Sequence, residues 1–439
     1  MKRNSVILIN AGSLVGTTLI TSGLGFAYWL VAARQFSPEI VGLASAAISA
    51  MLLLGNVCIL GLGTLLIGEL PRQPGKEASL ISGALILVGG LGGGVGILFA
   101  VVSPAISTDF QALRASVQDI ALFAAGVALT AITLVLDQAL IGLLRGEWQF
   151  WRNTLFAVTK LAALFAVGLW LSHVAGLTIY ATWTAGNALS LAVLAGFVVL
   201  REGWSGRSYL PEWVLLRKLK SAALQHHILN LMLQVPPFAL PVLTTVMLSA
   251  RMNAWFYISY TVAAFVYFLT VALATVLYAT SSAQPATLAH KARLTLGLSF
   301  VACLLANVVL LLGARQILDL FGHAYAEQAS WSLRILGLAA FPVIIKNHYI
   351  AVYRVQRRLA QAMLPIAAGT FLEVGAPALG AYLGGLSGLS LGLIGALCVE
   401  AMYMSRTVFK AVRFIDTSTQ ITIRRRHIET EAELGRKFT

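Results

Sequence analysis

Leu136-Asp-Gln-Ala-Leu-Ile-Gly-Leu-Leu-Arg145, followed by the stretch 146–153 and an apolar run holding Lys160, sets a carboxylate and an ammonium inside two adjacent hydrophobic segments. Read as antiparallel helices joined by a basic turn over 146–153, each charge lies about eight residues from the turn, roughly 12 Å at helical rise. Asp137 and Lys160 are then expected at one depth and facing each other. Either charge alone in hydrocarbon costs about 2.5–3.5 kcal/mol on the insertion scale. The frame recurs as Ile345-Lys-Asn-His-Tyr-Ile-Ala-Val-Tyr-Arg354, where Lys346 and Arg354 follow Asp137 and Arg145 at a constant offset of 209 residues. Glu373 takes the place of Lys160 in the next apolar segment, although it lies deeper than Lys346. Two similar halves of membrane helices follow, each with an ionic clasp of opposite polarity.

Composition agrees with that reading. The chain has 439 residues, of which 58% are hydrophobic and 11% charged, with a mean hydropathy of +0.83. These values exclude an ordinary soluble domain. Apolar runs of bilayer-spanning length recur throughout. Twelve spans are expected, over 6–33, 40–67, 79–102, 117–143, 154–172, 177–200, 224–249, 255–280, 292–313, 329–353, 361–382 and 386–405. The formal charge of +14 does not point to nucleic acid, because the basic residues fall in short loops. Arg72, Lys76, Arg145, Arg152, Arg201, Lys218, Lys220, Arg354, Arg357 and Arg358 collect on one side, with Arg34, Arg114, Arg251 and Arg315 on the other. That asymmetry places both termini in the cytoplasm. The expected fold is an all-α polytopic membrane protein. It divides into an N-terminal six-helix lobe (1–200), a cytoplasmic amphipathic linker (201–223), a C-terminal six-helix lobe (224–412) and a cytoplasmic tail (413–439). Within the linker, Pro211-Glu-Trp-Val-Leu-Leu-Arg-Lys-Leu-Lys220 reads as an interfacial helix on the anionic leaflet.

Cys58, Cys303 and Cys398 form neither a metal spacing nor a disulfide framework, and no cofactor or metal is expected. Leu91-Gly-Gly-Gly-Val-Gly96 lacks the Lys-Ser/Thr and the preceding strand of a phosphate loop. Its glycines read as small-xxx-small packing, as do Gly384, Gly388 and Gly392. Polar stripes at helical spacing mark faces turned from lipid: Asn10, Ser13, Thr17, Thr21 and Tyr28 in the first span; Ser45, Ser49 and Asn56 in the second; His227, Asn230, Gln234, Pro241 and Thr245 in the seventh; Tyr257, Tyr260, Tyr267 and Tyr278 in the eighth. Either a hydrated cavity or interhelical hydrogen bonding explains them. Pro236, Pro237 and Pro241 are expected to break or kink the seventh span, which favours a cavity wall there. The tyrosines serve equally for stacking on sugar rings or for packing. Asp137 with Lys160 reads as a structural ion pair, or as a proton or cation site. Arg334 and Glu400 lie near span ends, where they can snorkel. His226 and His227 sit at the cytoplasmic mouth of the seventh span, within reach of a phosphate or without a ligand.

The stretches Ala33-Arg-Gln-Phe-Ser-Pro-Glu39 leading to Gly42, Leu136 to Lys160, Phe321-Gly322 with Tyr325, and Leu333-Arg-Ile-Leu336 resemble polysaccharide-type transporters of the MOP (multidrug/oligosaccharidyl-lipid/polysaccharide) superfamily, the Wzx-like branch. The resemblance implies a MATE-like pair of six-helix lobes around a V-shaped cavity that opens to one membrane face at a time. It implies as cargo an oligosaccharide on a polyprenyl diphosphate, flipped across the cytoplasmic membrane for polysaccharide biosynthesis, with membrane lipid and a glycan polymerase or export protein as partners. Where peptidoglycan-precursor flippases carry an Arg-Asp pair in the first helix, this chain has Tyr28-Trp29, so that precursor is not the favoured cargo. Substrate contacts are expected from Arg34, Arg72, Asn10, Thr17, Asn56, His227, Asn230, Gln234, Tyr260, Tyr267 and Lys346, and coupling or ion pairing from Asp137, Lys160 and Glu373. The second functional reading is a drug or small-molecule/cation antiporter of the MATE type, with Asp137 as coupling site. An enzyme is disfavoured: the outer loops are short and carry no nucleophile–base pairing, HExxH or Walker pattern.

Overall fold

A computed structural model of the chain describes residues 2–170, 177–202, 210–211, 213–283 and 287–413, without the side chains of 2–12, 14–15, 202, 213–226, 283 and 413. Every regular element among these residues is helical. The helices are α1 (Lys2–Gln35), α2 (Pro38–Cys58), α3 (Leu62–Glu69), α4 (Glu77–Ile106), α5 (Val117–Gly142), α6 (Gly146–Trp170), α7 (Thr178–Glu202), α8 (Trp213–Met247), α9 (Ala250–Ala283), α10 (Leu288–Asp319), α11 (His323–Leu338), α12 (Ala340–Val355) and α13 (Leu359–Arg413).

Eleven helical stretches of the described chain are long and apolar enough to cross a membrane. The longest, Leu359–Val412, holds two non-helical residues, Gly384 and Gly385. Gly385 has φ 57° and ψ −139°, a combination open only to a residue without Cβ. The chain reverses there, so α13 is two antiparallel arms. With that reversal counted, the expected twelve passes are met. Exposed side chains along α10, at Leu298, Val301, Leu305, Val308 and Leu312, recur every three or four positions. An outward apolar stripe is the surface that lipid, not water, selects. This is a multi-pass membrane protein.

Two compact units divide the chain. One comprises Met1–Ser259, Arg315–Ser330 and Ala378–Leu389; the other comprises Tyr260–Ala314, Trp331–Pro377 and Ser390–Thr439. In the first unit α4 packs along α5, α1 along α6, α6 along α7, and α2 between α5 and α8. Its core beneath α3 gathers Leu62, Leu66, Leu80, Ala84, Val88, Ala131 and Val135. The glycine-rich stretch of α4 serves this packing in a single register. A Cβ on Gly92 would lie 3.0 Å from Ala128 Cα and one on Gly96 2.7 Å from Ala124 Cα, whereas Gly90, Gly93 and Gly94 face open space. In the second unit Ala274, Leu277, Leu288, Ala292, Ala351 and Val355 form a core at the ends of α9, α10 and α12.

Three expectations about elements need correcting. The second span is not one helix: Leu60 (φ 47°) and Gly61 (φ 74°) separate α2 from α3. The three prolines of the seventh span do not break it, and α8 runs on through Pro236, Pro237 and Pro241. Proline's fixed φ is itself helical; its ring removes the hydrogen bond from its own nitrogen and crowds the carbonyl four residues back, which can bend a helix without ending it. Finally, 146–153 is no turn. Helix α6 begins at Gly146, and the chain reverses on Leu144 in the left-handed region (φ 56°). This last difference moves the register of the charges.

Candidate functional site

With the reversal at Leu144, Asp137 lies seven residues before the turn and Arg152 eight after it, so these two stand at equal depth, about 11 Å along their helices. Arg152 Nε donates to Asp137 Oδ1 at 2.9 Å and Nη2 to Oδ2 at 2.7 Å. Asn153 Nδ2 adds a third donor to Oδ2 at 3.0 Å, and its own Oδ1 accepts from Arg152 Nη2 at 2.8 Å. The planar guanidinium fork saturates the carboxylate in the strongest geometry available to an ion pair. The expected Asp137–Lys160 pair is therefore replaced by Asp137–Arg152. Lys160 lies two turns deeper.

Lys160 is 4% exposed, and among the described residues it has no carboxylate partner. Its Nζ lies 3.5 Å from the ring centroid of Trp183, 4.7 Å from Phe156 and 5.0 Å from Tyr28. An ammonium surrounded by π faces is held by cation–π attraction. Tyr28 is fixed in turn, since its hydroxyl lies 2.9 Å from the Ile179 carbonyl and 2.8 Å from Thr182 Oγ1. Tyr28 thus forms part of the Lys160 box on α1, α6 and α7.

The second unit holds the other charged cluster. Lys346 Nζ on α12 binds Glu373 Oε1 on the first arm of α13 and lies 3.1 Å from Glu400 Oε2 on the second arm. The three are 9%, 6% and 5% exposed. The expected pairing of Lys346 with Glu373 is present. Glu400 does not snorkel, because the last helix extends to Arg413 rather than ending at 405, which places the carboxylate well inside. A Cβ on Gly369 would meet the Glu400 carboxyl carbon at 2.5 Å, so the bare glycine makes room for it. Neighbouring polar groups are satisfied. Asn347 Nδ2 donates to Thr270 Oγ1 at 2.7 Å, and His348 lies between the Ile344 carbonyl (2.8 Å) and Thr295 Oγ1 (3.1 Å).

The remaining expected contact residues scatter. Thr17 Oγ1 donates to the Ser13 carbonyl at 2.7 Å and Asn56 Nδ2 to the Leu52 carbonyl at 2.8 Å. Both are back-bonded within their own helices. His227 is buried beside the Val57 backbone, while Asn230 and Gln234 on the same helix are exposed. Tyr260 and Tyr267 meet edge to face at 6.2 Å, and Tyr267 donates to the Leu336 carbonyl. Arg72 is exposed and pairs with Glu69 at 3.1 Å. Arg34 donates Nε to the Leu320 carbonyl at 2.6 Å and Nη2 to the Asp319 carbonyl at 2.8 Å. The side chain of Asn10, and those of His226, Lys218 and Lys220, lie outside the described residues, as does the tail 414–439.

Sequence reasoning missed a set of contacts within the first unit. Arg251 pairs with Glu39. Asp109 Oδ2 accepts from the Ala250 backbone N–H at 3.1 Å. Asn253 Nδ2 donates to the Gly42 carbonyl at 2.8 Å and to Ser45 Oγ at 3.0 Å. Together with Arg34 they tie α1, α2 and the 107–114 turn to the start of α9 and the end of α10. The oppositely charged outer-loop residues Glu39 and Arg251 were the available signal.

Solved structures share this fold. An inward-facing multidrug resistance MATE family transporter of the MOP superfamily aligns with a TM-score of 0.64 at 16% identity, covering 89% of this chain and 94% of that one. The lipid II flippase MurJ in an inward closed conformation aligns at 0.68 and 13% identity, covering 92% and 90%. A MOP superfamily transporter from Pyrococcus furiosus, described by a reverse polarity of its binding pocket, aligns at 0.58 and 14%, covering 93% and 95%. No curated protein matches the chain by sequence. The family model of the polysaccharide biosynthesis protein family matches residues 7–287, well over half of the 439 residues, and the chain belongs to that family, with the fold of the MOP superfamily.

Proposed function

We propose that the protein is a flippase that moves an oligosaccharide on a polyprenyl diphosphate across the cytoplasmic membrane by alternating access, both termini remaining inside. The family match over residues 7–287 carries this reading, and the MurJ-like and MATE-like fold supports it. In this scheme residues 1–200 and 224–412 act as two pseudo-symmetric lobes, and a glycan polymerase or export protein receives the product. The chain acts as a transporter and not as an enzyme.

The geometry narrows the substrate residues. Arg34 is committed to two carbonyls and Lys346 to two carboxylates. For a diphosphate the candidates are then Arg72, which is exposed and held only by a surface pair with Glu69, and His227 near the mouth of α8. Asn230 and Gln234, exposed one turn apart on α8, suit sugar hydroxyls, and Tyr260 and Tyr267 offer ring faces. The MATE-type antiporter reading required Asp137 as a coupling carboxylate. Three donated hydrogen bonds hold the Asp137 carboxylate in place, which disfavours a group that must exchange its ligand.

Membranes from cells lacking this protein are expected to accumulate lipid-linked glycan on the inner leaflet, read by protection from an impermeant glycan-oxidising reagent. Unchanged sidedness of that lipid removes the flippase reading.

A further inference from the structure

The Lys346 cluster is unbalanced. One ammonium faces two carboxylates, and all three residues are buried. Fully ionised, the group would carry one net negative charge inside a helical bundle, which is costly in a low-dielectric medium. Glu373 takes the ammonium's hydrogen bond. Glu400 lies 3.1 Å from the ammonium, and neither of its oxygens meets a donor in hydrogen-bond geometry among the described residues. The two carboxyl groups are also neighbours of each other. Two carboxylates that share a site cannot both ionise cheaply, and the single ammonium offsets only one of them.

The other groups facing the cluster do not restore balance. From α9 come the phenols of Tyr260 and Tyr267, and Tyr267 is already bonded to the Leu336 carbonyl. From α12 comes His348, which engages Ile344 and Thr295 of α10 instead. Among the described residues no further Asp, Glu, Lys or Arg pairs with any of the three. The ammonium already occupies the place that a metal cation would take between the carboxylates.

We propose that Lys346, Glu373 and Glu400 form a proton-binding site, holding one exchangeable proton on Glu400 and coupling the second unit to a transmembrane proton gradient. The coupling half rests on the transporter reading above; the protonation half does not. In the loaded state the cluster is neutral: ammonium, carboxylate, carboxylic acid. Unloading passes the Glu400 proton to a water molecule and leaves the cluster with one negative charge. That charge change is large enough to bias helix packing, because the compensating ammonium cannot serve both partners at full strength.

The test has two arms on the full-length protein. Infrared difference spectra of the purified protein in lipid nanodiscs, recorded across a pH titration, are expected to show one carboxylic-acid C=O band at neutral pH. The band should shift in deuterated water and be absent from Glu400→Gln. Lys346→Met is expected to add a second such band, since both carboxylates then lose their counter-charge; this variant also covers the case in which Glu400→Gln fails to fold. Absence of any acid band in the wild type at neutral pH overturns the site. In the second arm, proteoliposomes loaded with lipid-linked oligosaccharide are given an imposed pH gradient. Wild type is expected to flip faster with the gradient than without it, and Glu400→Gln to lose that stimulation. A Glu400→Gln protein that keeps its full gradient response overturns the coupling. Failure of the wild type to flip lipid under any condition defeats the flippase reading, while the infrared arm still decides the proton site.

Discussion

At the scale of single residues, two buried cations of the first unit, Arg152 and Lys160, are held by different physics. Arg152 and Asp137 are joined through two parallel hydrogen bonds, and removing one partner leaves the other charge uncompensated. Arg152→Met is expected to cost about 3–5 kcal/mol of stability, the usual consequence of breaking a buried pair. Lys160 has only ring faces around it, so Lys160→Met removes a desolvated charge and keeps its volume and apolar stem. That variant is expected to unfold at the same temperature as the wild type or higher. Thermal unfolding of both variants in one detergent distinguishes the cases, and equal losses would contradict the two environments. The hydrophobic runs made it legible that Lys160 is buried, whereas Arg152 reads from the sequence as part of the basic turn. The partner was not legible, because pairing depends on where the chain reverses. A non-glycine residue in the left-handed region, Leu144, gives no turn signal of the Gly or Asn kind.

At the scale of the element, the arms of α13 come together where side chains are absent. A Cβ on Gly380 would meet the Gly388 carbonyl, and one on Gly388 the Gly380 carbonyl. Gly380→Leu is expected to prevent the arms from closing and to abolish monodisperse protein on size exclusion. Gly385→Ala should keep the fold but lose about 1–3 kcal/mol through backbone strain. Gly93→Leu, which faces open space on α4, is expected to behave as the wild type and serves as the control. The small-xxx-small spacing of Gly92 with Gly96 and of Gly388 with Gly392 could be read in advance, whereas Gly384, expected in the same row, lies in the reversal with open space around it. Which of the α4 registers is used could not, since only the neighbour α5 selects Gly92 and Gly96. Likewise, Glu400 is brought to Lys346 only when the reversal at Gly384–Gly385 folds the second arm back.

At the scale of the whole molecule, the contacts of Arg34, Glu39, Asp109 and Asn253 join segments between 141 and 286 residues apart. In the proposed alternating-access scheme, with residues 1–200 and 224–412 as the two lobes, these contacts part during each cycle. With cysteines placed at Glu39→Cys and Arg251→Cys, in a background where the exposed Cys398 is replaced by serine, a short bifunctional thiol reagent is expected to stop flipping. Each single-cysteine protein should remain active after the same treatment. Continued flipping by the cross-linked double variant would show that this end of the first unit need not open. The exposed ion pair of Glu39 and Arg251 contributes at most about 1 kcal/mol, and so is weak enough to break in every cycle.

Composition, span length and loop charge determined the membrane class, the helical content and the number of passes. Those follow from what hydrocarbon tolerates, and each run of about twenty residues reports its own solvent. Tertiary structure alone decided which charges meet. The positions of Asp137, Arg152, Lys160, Lys346, Glu373 and Glu400 along the chain are compatible with several pairings. Helix reversals at Leu144 and at Gly384–Gly385, together with a missing Cβ at Gly369, select one of them. A hydrogen-bonded ion pair forms only within about 3–4 Å, whereas sequence periodicity fixes depth only to within about a helical turn.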